Sequence, residues 1–549
     1  PPSRGWKVGQ EEAVKAGNQP SSRRSNETLG MDHIVDKVSS LSLGPREVKL
    51  PAELWFKILA CMDTSHISQL ALVSQQLRII VQSLIFKTCV FQAGKHHRSR
   101  HESHRRMNGK LAAKLSVLTL PHIAQFLRQW TLVGGRRNSR GYVAAVCATL
   151  SMFPNLQAVH FQSVRMTSTV VSLISAATLK NPLSLSLVSC MTDFPGRWSE
   201  GQPGSIRLGS FLLHNEHIIK YPHDHYWLSM LRTDTLAVLD FATAHSTASF
   251  MFGMAQSTGP QLSNLEILHL HLEGLDDVPE QDLVSILATL HSVHTFHIHP
   301  PPSYVHTPGR HGPFLLPATA LPQLSSFLGP AAQAQSYCAN RASIRHLSLY
   351  SPGLGRACVY DELLVPHLTV PPQLASLHLR IAFPVEDIAR EVAATCPVLR
   401  GLRIIVPHAT PTPDFRRLVA SLEALVLPPT LEVLFLGLRH QQDSSPWPHN
   451  SIPRFEVLQT AMEGLQQRHT ALRYICVCFD MGDMGERRSR TRVWRWTRGE
   501  GWMGMQKFYG SQCIDVPAPR REKNPVVTDG DRLAADLNEE WLDMIREFR

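Results

Sequence analysis

The chain lacks an apolar run long enough to cross a bilayer and shows no apolar h-region near its first residues. No signal sequence and no membrane-spanning helix are therefore expected. Closely paired cysteines are missing as well. Of ten cysteines only Cys476 and Cys478 are near each other, and C-x-C inside an apolar alternating run is not the C-x-x-C of a zinc or redox site. Reduced thiols in an intracellular compartment, cytoplasmic and/or nuclear, are the expectation, and the sequon Asn26–Thr28 is expected to be idle. No G-x-x-x-x-G-K-[ST] and no G-x-S-x-G occurs. The run "HESHR" (101–105) carries Arg105 where a metalloprotease motif needs its second His. Gly499-Glu-Gly501-Trp-Met-Gly504 does match G-x-G-x-x-G, but Glu500 would face a pyrophosphate, Trp502 is bulky, and no βαβ unit follows. A turn is expected there instead. These absences leave no catalytic residue, no cofactor and no metal site to expect: the protein is read as a non-enzyme.

What is present describes a packed chain. The sequence of 549 residues is 43% hydrophobic and 18% charged, which suits three or four ordinary domains or one long repetitive one. The net charge is +10, with much of the excess in 95–114 and 487–507. Charge gathered in patches marks loops or contact surfaces. Residues 1–45 are rich in Ser, Gly, Pro and charge and are expected to form a disordered tail.

Order is expected from Val48. Pro51 suits the first turn of a helix, and Leu54, Ile58 and Leu59 recur along one helical face. Asp63, Thr64 and Ser65 break the chain before a second helix, "HISQLALV". Ser74 can cap a third, "QQLRIIVQSLIF", with Leu77, Ile80, Val81 and Leu84 inward. Three short helices are too small to bury this much apolar surface among themselves, so the surplus implies an external hydrophobic partner.

These residues resemble the F-box family, the helical module that docks on the Skp adaptor of SCF-type ubiquitin ligases. Leu50, Pro51, Glu53, Leu54, Ile58, Leu59, Leu70, Val73, Ser74, Leu77 and Arg78 match its motif, whereas His66-Ile67 replaces a usual Asp-Leu and Leu77 a frequent Trp. The resemblance implies adaptor contacts from Leu50, Pro51, Leu54, Ile58, Leu59, Leu70, Val73 and Leu77, and through the adaptor a cullin–RING scaffold.

Beyond residue 115 apolar positions recur at offsets 0, +3 and +5. "NLQAVHF", "TLAVLDF", "NLEILHL", "SIRHLSL", "QLASLHL", "VLRGLRI", "TLEVLFL" and "ALRYICV" carry the pattern, with "SVHTFHI" and "FLRQWTL" as looser members. First apolar positions at 236, 265 and 293, and again at 344, 374 and 399, give the repeat of about 25–30 residues that marks a leucine-rich repeat. Longer gaps leave room for irregular units near "PLSLSLVSC" and "QLSSFLG", and 281–290 and 385–396 are helix-competent. The repeat's usual Asn or Cys is nearly absent, with Cys190 one of few candidates, so the turns must close their hydrogen bonds in another way. An ordinary α/β sheet with helical crossovers is the alternative.

The fold expectation is therefore α/β: a three-helix F-box over 46–92, a basic His/Arg-rich loop over 93–114, an irregular leucine-rich-repeat horseshoe over 115–482, and a C-terminal cap and tail over 483–549. Trp494 and Trp496, on one strand face, would cap the core. The register places His269 beside His297 and His271 beside His299 on the exposed face. His378, Arg380, Arg403, Tyr350 and Phe435 join them as candidate contacts for an unknown protein target. A metal at the histidines is not expected, because the motif places no carboxylate to orient the rings. The functional expectation is a substrate-recognition subunit of an SCF-type ligase. A nucleic-acid-associated repeat protein using "RRSRTRVWRWTRGEGW" is the alternative, and a leucine-rich scaffold with no ubiquitin role a remoter one; neither membrane nor nucleic acid is the expected partner.

Overall fold

The structure is a computed structural model. It describes residues 54–55, 58–59, 64–70, 72–73, 75–92, 102–134, 140–179, 181–193, 205–214, 227, 230–255, 262–276, 278–299, 315–350, 371–380, 385–406, 415–439, 455–483, 489–498 and 501–509. The expected N-terminal tail, Leu50 and Pro51 lie outside these residues.

The chain divides into two compact units, 1–61 and 62–549. In the first, Leu54, Trp55, Ile58 and Leu59 are helical, as the apolar spacing predicts; Leu59 is buried and Leu54 and Ile58 are exposed.

The second unit opens with helices Thr64–Leu70 and Gln75–Ile85. Ile67, Ile80 and Val81 point inward, while Leu77 and Leu84 are half-buried. A long mixed sheet follows. Its strands are β1 (Thr88–Gln92), β2 (Gln129–Val133), β3 (Ala158–Gln162), β5 (Leu183–Val188), β7 (Leu208–His214), β8 (Val238–Phe241), β9 (Ile267–His271) and β10 (Thr295–His299). They continue as β11 (Ser326–Pro330), β12 (His346–Tyr350), β13 (Ser376–Arg380), β14 (Gly401–Val406), β15 (Val433–Arg439), β16 (Tyr474–Asp483), β17 (Ser489–Thr497) and β18 (Gly501–Tyr509). Among the described residues these 16 strands form one open sheet whose spatial order follows chain order. A separate short ladder pairs β4 (Arg165–Thr167) with β6 (Met191–Asp193). Every pair from β1 to β16 is parallel, and β17 and β18 close the end antiparallel.

The spacing rule explains why the chain folds this way. Leu265, Leu268 and Leu270, then Val293, Phe296 and Ile298, are each 0% exposed, and the same three offsets are buried in every recurring unit. The first member lies in the turn before the strand and the other two alternate along it, as a period of two requires. Each such side chain contributes roughly 1.5–3 kcal/mol by leaving water. One core runs without a break from Cys89 to Trp496. Helices between strands add their apolar faces to it, with Leu283, Ile286 and Leu287 on Glu280–Thr289 and Ile388, Ala389 and Val392 on Val385–Thr395.

The turns close without the usual asparagine. At most steps two successive N–H groups donate to one carbonyl of the preceding unit: Glu266 and Ile267 to Ala237, His294 and Thr295 to Glu266, Glu432 and Val433 to Arg400. In several units the residue just before the first apolar position adds a side-chain stitch. Asn155 Nδ2 donates to Gln125 O at 2.8 Å, Ser343 Oγ to Leu324 O at 2.7 Å, and Thr430 Oγ1 to Pro397 O at 2.9 Å. Cys190 Sγ lies 3.4 Å from the carbonyls of Phe161 and Val188, taking part in the role its spacing suggests.

The irregular units are real strands. β5 and β7 occupy one long gap and β11 the other. In β11 the +5 position is Gly329 rather than a leucine, because a Cβ there would meet the Phe327 ring at 2.6 Å. Two corrections concern the flanks. The basic segment expected as a loop over 93–114 becomes the helix Glu102–Leu118, whose Leu111 and Leu115 pack at helical spacing against the core and whose Leu118 is buried. The last residues assigned to the 46–92 helical unit form β1, because Cys89 and Phe91 alternate into the sheet core.

Candidate functional site

Two surfaces stand out. On and around the early helices large apolar side chains remain in water: Leu72 is 79% exposed and Val73 70%. Ile79 is exposed on the helix face opposite Val81, and Leu54 and Ile58 are exposed in the preceding unit. The helix Thr64–Leu70 ends in a turn at 72–73, which lifts both side chains off the helical face. Of the residues named for adaptor contact, Leu54, Ile58 and Val73 are exposed, Leu70 and Leu77 half-buried, and Leu59 fully buried.

The second surface is the polar face of the sheet. The parallel register aligns the +4 positions into a row, so neighbouring side chains meet laterally. His160 meets Ser186 at 2.8 Å and Ser348 meets His378 at 2.9 Å. Arg403 stacks over the Phe435 ring at 4.6 Å. Arg403 and Phe435 are both buried, so this pair packs against itself, whereas His378 stays half-exposed. Tyr350 and Arg380 sit at the expected strand ends, but their side chains fall outside the described residues.

The densest part of this face is at β7 to β10. Register pairs His269 with both Asp240 and His297. Asp240 Oδ2 accepts from His269 Nδ1 at 3.0 Å, and Oδ1 accepts from His299 Nε2 at 2.9 Å. His214 Nε2 lies 3.5 Å from the same Oδ1 and has no hydrogen-bond partner although the atom is buried. Ring centres of His297 lie 4.3 Å from His299 and 4.7 Å from His269. Burial pushes the Asp240 carboxyl up, but hydrogen bonds from His269 and His299, together with the nearby His214 ring, outweigh it and hold the group well below the usual carboxylate range.

This geometry corrects two expectations. The two-by-two imidazole cluster does not form as drawn. β9 runs straight into the helix Leu272–Asp276, and His271 is buried there with its N–H on Thr247 Oγ1. His214 takes part instead. A carboxylate is also present among the rings, because Asp240 occupies the +4 position of the strand beside His269. Both residues were legible: Asp240 lies in the same row, and "LGSFLLH" carries Leu208, Phe211 and Leu213 at 0, +3 and +5 just before His214.

At the C-terminal end Trp496 is buried in the core, where it closes the sheet's last parallel edge. The glycine motif falls across the link from β17 to β18, with Thr497 opposite Gly501 and Trp502 opposite Trp496. It is a strand connection, and the described residues that follow it form a strand rather than a helix whose N-terminus could receive a phosphate. Among the described residues no helix is long and apolar enough to cross a membrane.

Residues 48–89 match the F-box domain family. The chain therefore carries an F-box domain, placed at the helices that leave apolar side chains in water. F-box domains are in general non-catalytic adaptor modules, which supports a role in binding Skp. No curated protein matches the chain.

Proposed function

We propose that this protein is the substrate-recognition subunit of an SCF-type cullin–RING ubiquitin ligase. The F-box match over residues 48–89 carries the reading. The exposed Leu54, Ile58, Leu72, Val73 and Ile79 support it, since surface leucines and valines of this size are what a hydrophobic partner covers. Adaptor contact is assigned to Leu50, Pro51, Leu54, Ile58, Leu70, Val73 and Leu77. Leu59, being buried, holds the helix in place. The sheet is a leucine-rich-repeat solenoid of irregular repeat length: strand order follows chain order, and buried side chains recur at 0, +3 and +5. Its polar face around His269, His297, His299 and His378 receives the target protein. No chemistry is required of the chain itself. It acts by raising the target's effective concentration at the site of ubiquitin transfer.

The test is a pull-down from cells with the full chain and with a chain lacking 48–89. The full chain should carry the Skp adaptor and the cullin scaffold, and the deleted chain should lose both while keeping its target. Absence of the adaptor from the full-chain pull-down would refute the assignment.

A further inference from the structure

We propose that His269, His297 and His299 bind a divalent transition-metal ion of the zinc class, with Asp240 orienting two of the three rings. The four residues come from three neighbouring strands, and register alone brings them together. One ligand atom from each of the three histidines lies within 4.8 Å of the others. In a tetrahedral site with metal–nitrogen bonds of about 2.0–2.1 Å, donors sit about 3.3 Å apart, so small ring rotations close the set.

Asp240 supplies what a bare histidine cluster lacks. By accepting from His269 Nδ1 and His299 Nε2 it fixes both tautomers, leaving the lone pair of the other ring nitrogen free on each. A carboxylate behind metal-bound imidazole is the usual arrangement for holding ligand rings and raising their basicity. The charge balance points the same way. Asp240 is 8% exposed, and its nearest polar neighbours are imidazoles, which donate hydrogen bonds without carrying charge when neutral. A divalent ion on the far side of the rings compensates that buried negative charge. His269 and His299 keep side-chain exposures of 24% and 19%, so an ion can enter from solvent. Three nitrogen donors leave one position open, and nitrogen-rich sets select zinc, cobalt, nickel or copper over magnesium and calcium.

The experiment is titration of the purified full chain with Zn(II), and with Co(II) as a spectroscopic stand-in, followed by dialysis and metal counting. One ion per chain is expected, with a Co(II) visible band typical of low coordination number. His297→Gln, at a half-exposed position that tolerates change, should weaken binding by at least about tenfold, and Asp240→Asn by about 10–100-fold. His378→Ala, outside the cluster, should not alter it. His96→Ala/His97→Ala controls for the histidine-rich segment near residue 100 and should bind normally. Circular dichroism confirms that each variant is folded. If Asp240→Asn does not fold, His297→Gln decides alone. Failure of the wild-type chain to retain metal, or unchanged affinity in His297→Gln, would overturn the proposal whatever the pull-down above returns.

Discussion

The early helices and the sheet treat large apolar side chains in opposite ways. Around residues 64–85 Leu72 is 79% exposed and Ile79 54%, while in the sheet the inward leucines of the repeats are nearly all below 5%. The sheet has length enough to cover its own apolar surface: a strand's inward residues are capped by the next unit and, in units such as those with Glu280–Thr289 and Val385–Thr395, by an intervening helix. Two helices of 7 and 11 residues have no such resource. Among the described residues the highest leucine and valine exposures, Leu72 and Val73, lie between these short helices, and the F-box match falls at that place.

The comparison breaks most visibly in the sheet. Phe296→Ala removes a fully buried ring that packs on Phe327 and Tyr337 at centroid distances of 6.1 and 5.3 Å. A loss of about 3–5 kcal/mol is expected from denaturant unfolding, with adaptor binding failing only as the chain unfolds. The exposed residues should behave in reverse. Leu54→Ala/Ile58→Ala should leave the unfolding midpoint within experimental error while weakening adaptor binding by about 2 kcal/mol per side chain, read by calorimetric titration. The pair avoids Leu59, whose burial would mix a folding defect into the result. If the double variant binds the adaptor normally, exposure there has another purpose.

Much of this was legible in the sequence, and the reason is physical. A strand repeats every two residues and a helix nearly every four, so the core writes itself into the spacing of leucines. The offsets 0, +3 and +5 located most of the described strands, though not β1 or β7, and the parallel register located rows such as His269 beside His297. What spacing does not encode is which neighbours bond and what covers a strand end. Asp240 was in the row, but its grip on His299, two strands away, depends on side-chain reach. His271 follows the same alternation as His299 and is buried only because a helix starts at the next residue. Arg403 lies over the Phe435 ring and both are buried, which withdraws them from the face. The basic run before residue 115 reads as solvated loop by charge, yet Leu111, Leu115 and Leu118 suffice to make it helical.

Smaller effects test how the turns are closed. Asn264 Nδ2 donates to the carbonyl of Asp234 in the preceding unit. Asn264→Ala should cost about 1 kcal/mol by leaving that carbonyl to water. Local hydrogen exchange should rise at Leu265 and Glu266 ahead of the rest of the sheet. Exchange spread evenly over the sheet would mean that the stitch has no local role.

The smallest effect is a gain. The unit that begins at Leu399 has Val398 where several other units carry Asn, Ser or Thr, and Val398 is 50% exposed. No core contact is therefore lost by replacing it. An asparagine there stands where Asn155 and Asn264 stand in their own units, each bonded to the carbonyl two residues before the preceding unit's first leucine. For this unit that acceptor is Pro372, whose carbonyl lies in the turn before Leu374. Val398→Asn should raise stability by about 0.5–1 kcal/mol, the net worth of one partly exposed hydrogen bond, and remove one apolar side chain from the surface. Val398→Ala separates the two contributions, since it removes the side chain without adding a donor. Equal stability in the asparagine and alanine variants would show that the two N–H groups sharing the Ala375 carbonyl already close this turn.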